Sequence, residues 1–230
     1  MCSQYQLISD MNAFQAQLAI DLTDIIRKEA SDFPNKTVPE DQEELEIETD
    51  RTVFETLSGI RRPTDPVIVI LPEQKPVLRR WGLSVATLNA PLINARAETL
   101  DQKPTFRPLL ERRCLIPATS WFEWRKDGAV KHKTRITLPD HQPVLFAGLE
   151  NGTEAVIITC APAPSIAHIH DRMPAVIGPN HIAGWLDPAN RFDTLRYMLG
   201  PVPDHVLKWS DDLPDSTKTA KQDDGQIDLF

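Results

Sequence analysis

Cysteine and glycine are scarce in this chain: three cysteines and nine glycines among 230 residues. An odd number of widely spaced thiols builds neither a disulfide framework nor a tetrahedral zinc site. Long apolar runs are missing as well. Val67–Leu71 is the longest near the front, far short of the roughly 20 residues that cross a bilayer. The first residues lack a basic segment followed by an apolar core, so no secretory signal and a cytoplasmic location are expected. There is no phosphate loop, no dinucleotide fingerprint and no G-x-S-x-G elbow. His132, His141, His181 and His205 show no metal-ligand spacing. Neither a cofactor nor a metal is expected.

Positive charge is in deficit overall, with 25 basic against 33 acidic residues and a formal charge of −8. The deficit is local. Residues 40–50 hold seven acids and no base, and residues 211–230 hold six acids against two bases. Residues 51–135 hold 16 Lys and Arg against 8 Asp and Glu. The acidic balance therefore leaves room for a local nucleic-acid-binding face.

Twenty prolines argue for short strands and rigid turns rather than a bundle of long helices. Phe14, Leu18, Leu22, Ile25 and Ile26 recur at helical spacing, with Asp10 or Asn12 as the cap of a helix in 11–30. Residues 31–50 read as a surface excursion. From Val67 the pattern turns to β: 67–71, 113–118, 135–138, 143–149 and 155–160 are short strand-like runs between turns. Helical character returns over 180–200, broken at Pro188. The expectation is α+β: a single domain, 1–210, around a curved, mainly antiparallel, barrel-like sheet with peripheral helices. Residues 211–230 have almost nothing to bury and read as a disordered tail.

The chemistry begins at Cys2. Removal of Met1, which the small second side chain permits, would leave an amino-terminal cysteine carrying two nucleophiles. Their reference pKa values are about 8.5 for the thiol and about 8 for the amine. The amine condenses with an aldehyde to a Schiff base, and the thiolate adds to the same carbon to close a thiazolidine. Cys114 and Cys160 sit in apolar strand runs and read as small buried hydrophobes.

Three further segments stand with Cys2: Asn94-Ala95-Arg96-Ala97-Glu98-Thr99; Arg113–Ala118 running into Ser120-Trp121-Phe122-Glu123-Trp124; and His168-Ile169-His170-Asp171-Arg172-Met173-Pro174. Together with Arg80-Trp81-Gly82-Leu83 and Phe146-Ala147-Gly148-Leu149, they resemble the SOS response-associated peptidase (SRAP) family over roughly residues 2–190, in the family's order. The resemblance implies a sensor of abasic DNA. Such a protein binds single-stranded DNA or strand junctions and crosslinks the ring-opened sugar to its amino-terminal cysteine, shielding the lesion. By matching positions it implies Cys2 as nucleophile with Asn94, Glu123 and His170, and Arg80, Trp81, Arg96 and Arg172 toward DNA. A histidine near neutrality suits opening of the sugar hemiacetal. A carboxyl raised by aromatic neighbours, as Glu123 is between Phe122 and Trp124, suits protonation of a leaving hydroxyl. Asn94 suits holding the terminal amine or thiol in line. Trp81 reads either as core packing or as a platform for a base.

The resemblance has departures. The family's Met-Cys-Gly-Arg start is Met1-Cys2-Ser3-Gln4 here, without the arginine. Its proline and tryptophan after Trp-Gly-Leu are replaced by Ser84-Val85-Ala86-Thr87. This is the pattern of a divergent, phage-type member. Two other readings stand beside the first. One is an amino-terminal-nucleophile peptidase or hydrolase, with autocatalytic removal of Met1, although no oxyanion donors are identifiable. The other is a non-catalytic DNA-associated regulator that kept the scaffold. The terminal Gln226-Ile227-Asp228-Leu229-Phe230 resembles the bacterial sliding-clamp-binding peptide. Leu229 and Phe230 would fill a pocket with Gln226 at its rim, and the expected location is then the nucleoid when the protein is on DNA.

Overall fold

The computed structural model describes residues 2–7 and 58–212. The helix expected in 11–30, the excursion at 31–50 and residues 213–230 lie outside the described residues. Twelve strands follow in order: β1 (Gln4–Leu7), β2 (Gly59–Arg61), β3 (Pro66–Leu71), β4 (Lys75–Trp81), β5 (Asn94–Arg96), β6 (Arg113–Ala118), β7 (Ser120–Asp127), β8 (Val130–Thr137), β9 (Val144–Glu150), β10 (Glu154–Cys160), β11 (Met173–Pro174) and β12 (Lys208–Asp211). Two short helices, α1 (Ile182–Leu186) and α2 (Phe192–Leu195), flank the break at Pro188.

Five strands close on themselves. β3 pairs with β4, β4 with β10, β10 with β9, β9 with β6, and β6 returns to β3. Only the β4–β10 contact in this ring is parallel. The α+β, barrel-like reading of the sequence is thus the architecture found. Closure explains the composition of the ring: every residue of β6 and β9 is buried, so those strands read as continuous apolar runs rather than alternating ones. Gly148 sits where a Cβ would come within 2.9 Å of the Cys114 sulfur, so only glycine allows β9 to lie that close to β6.

A second sheet runs β12-β8-β7-β1-β2, antiparallel throughout. The amino-terminal strand is interior to it, with Tyr5 opposite Arg61 on one side and Trp121 on the other. Four fully or nearly fully buried rings join the two sheets. Tyr5 lies 5.3 Å from Trp81 and 5.9 Å from Phe146, and Trp121 lies 5.9 Å edge-on to Phe146. Each buried ring of this kind contributes roughly 2–3 kcal/mol by removal from water. Beyond Trp81, Gly82 takes φ +118°, a left-handed turn that suits glycine, and its missing Cβ avoids Pro91 at 2.9 Å. The chain then leads through the Leu83–Leu92 bridge into β5.

The expected strands at 67–71, 113–118, 143–149 and 155–160 fall within one residue of β3, β6, β9 and β10, and 135–138 is the end of the longer β8. One boundary moves. Asp211 belongs to β12, and Asp212 is held by Lys133 and Arg135 at 2.9 and 3.0 Å, so ordered structure continues through both residues.

Candidate active site

Cys2 lies two residues before the start of β1 and is fully buried. Its thiol points to the Gln4 carbonyl at 3.7 Å. Asn94 opens β5, which pairs in parallel with β10 so that Asn94 faces Ile157. From there its side-chain amide donates to the Cys2 carbonyl at 2.8 Å, tying the start of the chain to a strand more than 90 residues later. The Asn94 Oδ1 is buried and, among the described residues, makes no hydrogen bond.

Glu123 stands on β7, next to the residue that pairs with Gln4. Its carboxyl is buried, and desolvation pushes its pKa up to about 7, with the charge of Asp171 acting in the same direction. His170 comes from the segment after β10, where its backbone N–H donates to Ile166 at 3.3 Å. Its Nε2 lies 3.8 Å from Glu123 Oε2. Burial holds the imidazole below its ordinary pKa. For Cys2, burial first and the neighbouring Glu123 charge second raise the thiol well above its usual value. The thiol therefore rests protonated, beside a carboxyl that titrates near neutrality.

Two partners meet at His170 Nδ1. The Arg172 backbone N–H donates to it at 3.0 Å when Nδ1 is bare, which leaves the ring proton on Nε2, facing Glu123. Asp171 Oδ1, at 2.9 Å, accepts when Nδ1 carries the proton, and Nε2 is then the basic nitrogen of the ring, on the side of Glu123. Both neutral tautomers have a partner. Asp171 favours the one whose Nε2 is basic.

The remaining sequence candidates divide sharply. Trp81 is fully buried, packs at a tilt of 56° against Tyr5 and donates from its indole to the Ile93 carbonyl at 2.9 Å. It has no free face for a base, which corrects its assignment toward DNA. Arg172 turns inward: its guanidinium grips Glu98 through two 2.8 Å hydrogen bonds and donates to the Thr159 carbonyl at 2.6 Å, leaving the side chain 12% exposed. It fastens the His170 loop to the turn after β5 rather than offering an open cation. Arg80 is paired with Glu154 at 2.8 Å and is partly exposed. Arg96 is exposed and makes no ion pair among the described residues. Gln226, Leu229 and Phe230 lie outside the described residues. Cys114 and Cys160 are buried, with burial raising both thiols, Cys160 to about 11.

Glu98 and Asp171 emerge as the acidic partners that the sequence motifs contained without revealing. Among the described residues, no group of three or more His, Cys, Asp or Glu side chains is arranged to hold a metal ion. None of their helices is long and apolar enough to cross a membrane.

Fold and site together describe a barrel that buries a near-terminal cysteine beside an amide, a carboxyl and an imidazole. A family model described as SOS response associated peptidase (SRAP) matches residues 1–211, and the chain belongs to that family. It is 38% identical over 139 residues to the abasic site processing protein YoaM of Bacillus subtilis, covering 53% of this chain and 61% of that one. It is also 38% identical over 141 residues to the abasic site processing protein YedK of Escherichia coli, covering 56% and 64% respectively. The matched segment thus spans less than two thirds of those relatives. A solved structure from Bordetella bronchiseptica shares the fold with a TM-score of 0.67 at 20% identity, over 91% of this chain and 99% of that one. A phage-related protein from the same organism matches at TM-score 0.60 and 20% identity, over 91% and 93%.

Proposed function

We propose that the protein binds single-stranded DNA and captures abasic sites covalently through Cys2 once Met1 is removed. The observation that carries this reading is the Glu123–His170 pair set against a buried Cys2 whose carbonyl is held by Asn94. His170 moves a proton at the sugar oxygens as the hemiacetal opens to the aldehyde. The α-amine of Cys2 adds to the aldehyde carbon, giving a carbinolamine. Protonated Glu123 donates to the departing hydroxyl, water leaves, and an imine forms. The thiol sulfur then attacks the imine carbon, its proton passes to nitrogen by way of Glu123, and the thiazolidine closes. Aldehyde and aminothiol give thiazolidine and one water. The free Asn94 Oδ1 is the acceptor that orients the attacking amine.

The test uses the Met-processed full chain and an abasic single strand. A heat-stable crosslink is expected, absent in Cys2→Ala and strongly slowed in Glu123→Gln. Absence of any adduct with the wild type, its terminal cysteine verified by mass spectrometry, overturns the reading. The same mass measurement on Cys2→Ala shows whether Met1 removal depends on the thiol. On the partner side, the same proposal has Gln226, Leu229 and Phe230 anchoring the protein to a sliding clamp at replicating DNA. A 221–230 peptide is expected to bind a bacterial clamp and to lose binding in Leu229→Ala plus Phe230→Ala. No binding at millimolar peptide removes this partner.

A further inference from the structure

Trp81 is closed to DNA, yet another tryptophan is not. Trp209 in β12 is 44% exposed, whereas Trp81, Trp121 and Trp185 are fully buried. Isolated exposed apolar residues are ordinary on protein surfaces, so exposure alone says little. Trp209 is distinguished by its bracing and by its place.

Its ring lies 5.0 Å from that of His168, tilted by 64°, and the Arg125 guanidinium sits 6.0 Å from its centre. His168 is exposed and only two residues from His170. The register fixes the face. Trp209 is opposite Ile136, which is opposite Trp121; Asp211 is opposite Thr134, which is opposite Glu123. Directly opposed residues share a face, and so do residues two apart on one strand. Trp209 therefore stands on the Glu123 face of the sheet. It is two strands across and one two-residue repeat along, a backbone separation of about 12 Å. A stacked nucleotide rises roughly 3.4 Å and a stretched one spans about twice that, so 12 Å is the reach of a few nucleotides.

We propose that Trp209, braced by His168, is a stacking platform for an unpaired base flanking the captured lesion. This rests on the abasic-DNA reading and deepens it. An abasic position leaves its neighbouring base without a stacking partner on one side, and an indole held on the edge strand of the sheet replaces that partner whatever the base identity.

The experiment measures equilibrium binding of single strands carrying a tetrahydrofuran abasic analogue, which has no aldehyde and cannot crosslink. One strand carries ordinary bases on both sides; the other carries further tetrahydrofuran positions there. The wild type is expected to prefer the base-flanked strand. Trp209→Ala is expected to weaken that strand about 5- to 100-fold while leaving the base-free strand nearly unchanged. Trp209→Phe, which keeps a π face and the edge strand, restores most of the preference, and His168→Ala lowers it in part. Equal losses on both strands, or no loss on either, overturn the platform. A wild type that crosslinks true abasic DNA but shows these results sinks the platform alone. A wild type that forms no crosslink, with the flanking preference intact, sinks the capture reading and keeps the stacking surface.

Discussion

Glu123 Oε2 and His170 Nε2 lie 3.8 Å apart, and burial acts on the two groups in opposite senses. It pushes the carboxyl up to about 7 and the imidazole below its ordinary value. The usual order of a carboxylate and an imidazolium is thereby reversed near neutrality: the carboxyl holds a proton while the imidazole is free of one. Capture is expected to follow a bell in pH, its basic limb near 7 from loss of the Glu123 proton and its acidic limb from protonation of His170. Because the Asp171 charge raises both groups, Asp171→Asn is expected to move both limbs to lower pH. Single-turnover crosslinking between pH 5 and 9 measures this. Limbs that stay in place in Asp171→Asn exclude the assignment.

The raised carboxyl also has a cost in stability. Glu123 shifts from an ordinary 4.5 to about 7, so its contribution is fully present below about 4.5 and is lost as pH rises through 7. Above 7 the folded state holds a buried carboxylate that the unfolded chain would solvate freely. Glu123→Gln is expected to be more stable than wild type at pH 8 by about 1–3 kcal/mol, with the gap closing toward pH 4.5. Urea denaturation at the two pH values reads it directly; a variant less stable at pH 8 contradicts the buried-charge account.

Arg172 and Arg96 are both arginines of the family-like segments, yet only Arg96 faces solvent without an ion pair. Single-strand binding loses a salt-dependence slope of about 0.7 for each phosphate contact removed. Arg96→Ala is expected to flatten the slope by about that amount. Arg172→Ala is expected to leave the slope unchanged while slowing capture, because it releases the loop that carries His170. The reverse pattern would return Arg172 to the DNA backbone.

Asp211 and Asp212 neutralise three cations of the second sheet. Asp211 holds Arg125 at 2.9 Å, and Asp212 holds Lys133 and Arg135 at 2.9 and 3.0 Å. The double variant Asp211→Asn, Asp212→Asn is expected to bind single strands more tightly at low salt. Its salt dependence should steepen by roughly 0.7 for every cation that gains a phosphate. Titrations at 50 and 200 mM salt decide it, and an unchanged slope means these side chains do not reach DNA.

What the sequence disclosed and what it hid follow one physical division. β6 and β9 were legible because strands buried on both faces are apolar without interruption. β4 was not, since Arg79 and Arg80 interrupt its apolar pattern. Their partners, Glu150 and Glu154, lie more than seventy residues away. Residue types at Cys2, Asn94, Glu123 and His170 named a chemistry, but the 2.8 Å contact between Asn94 and Cys2 depends on β5 pairing in parallel with β10. Arg172 looked like an open cation because nothing local marks Glu98 as its partner. Trp81 was ambiguous for a similar reason: whether an indole is covered depends on distant partners, Tyr5 for Trp81 and the open edge at β12 for Trp209.

The interior position of β1 has a consequence for the protein's birth. The strand that follows Cys2 is the first to leave the ribosome, yet it docks on β7. Thr119, beside that strand, donates to the Gln6 carbonyl across 113 residues of chain. At about 5–20 residues per second, roughly 6–20 s of synthesis separate the two. During that interval Cys2 lacks the burial, the neighbouring Glu123 carboxyl and the Asn94 amide that surround it in the folded chain. On the proposed capture chemistry, chain completion is thus the safety catch: a nascent or truncated polypeptide carries the thiol but not the site built around it.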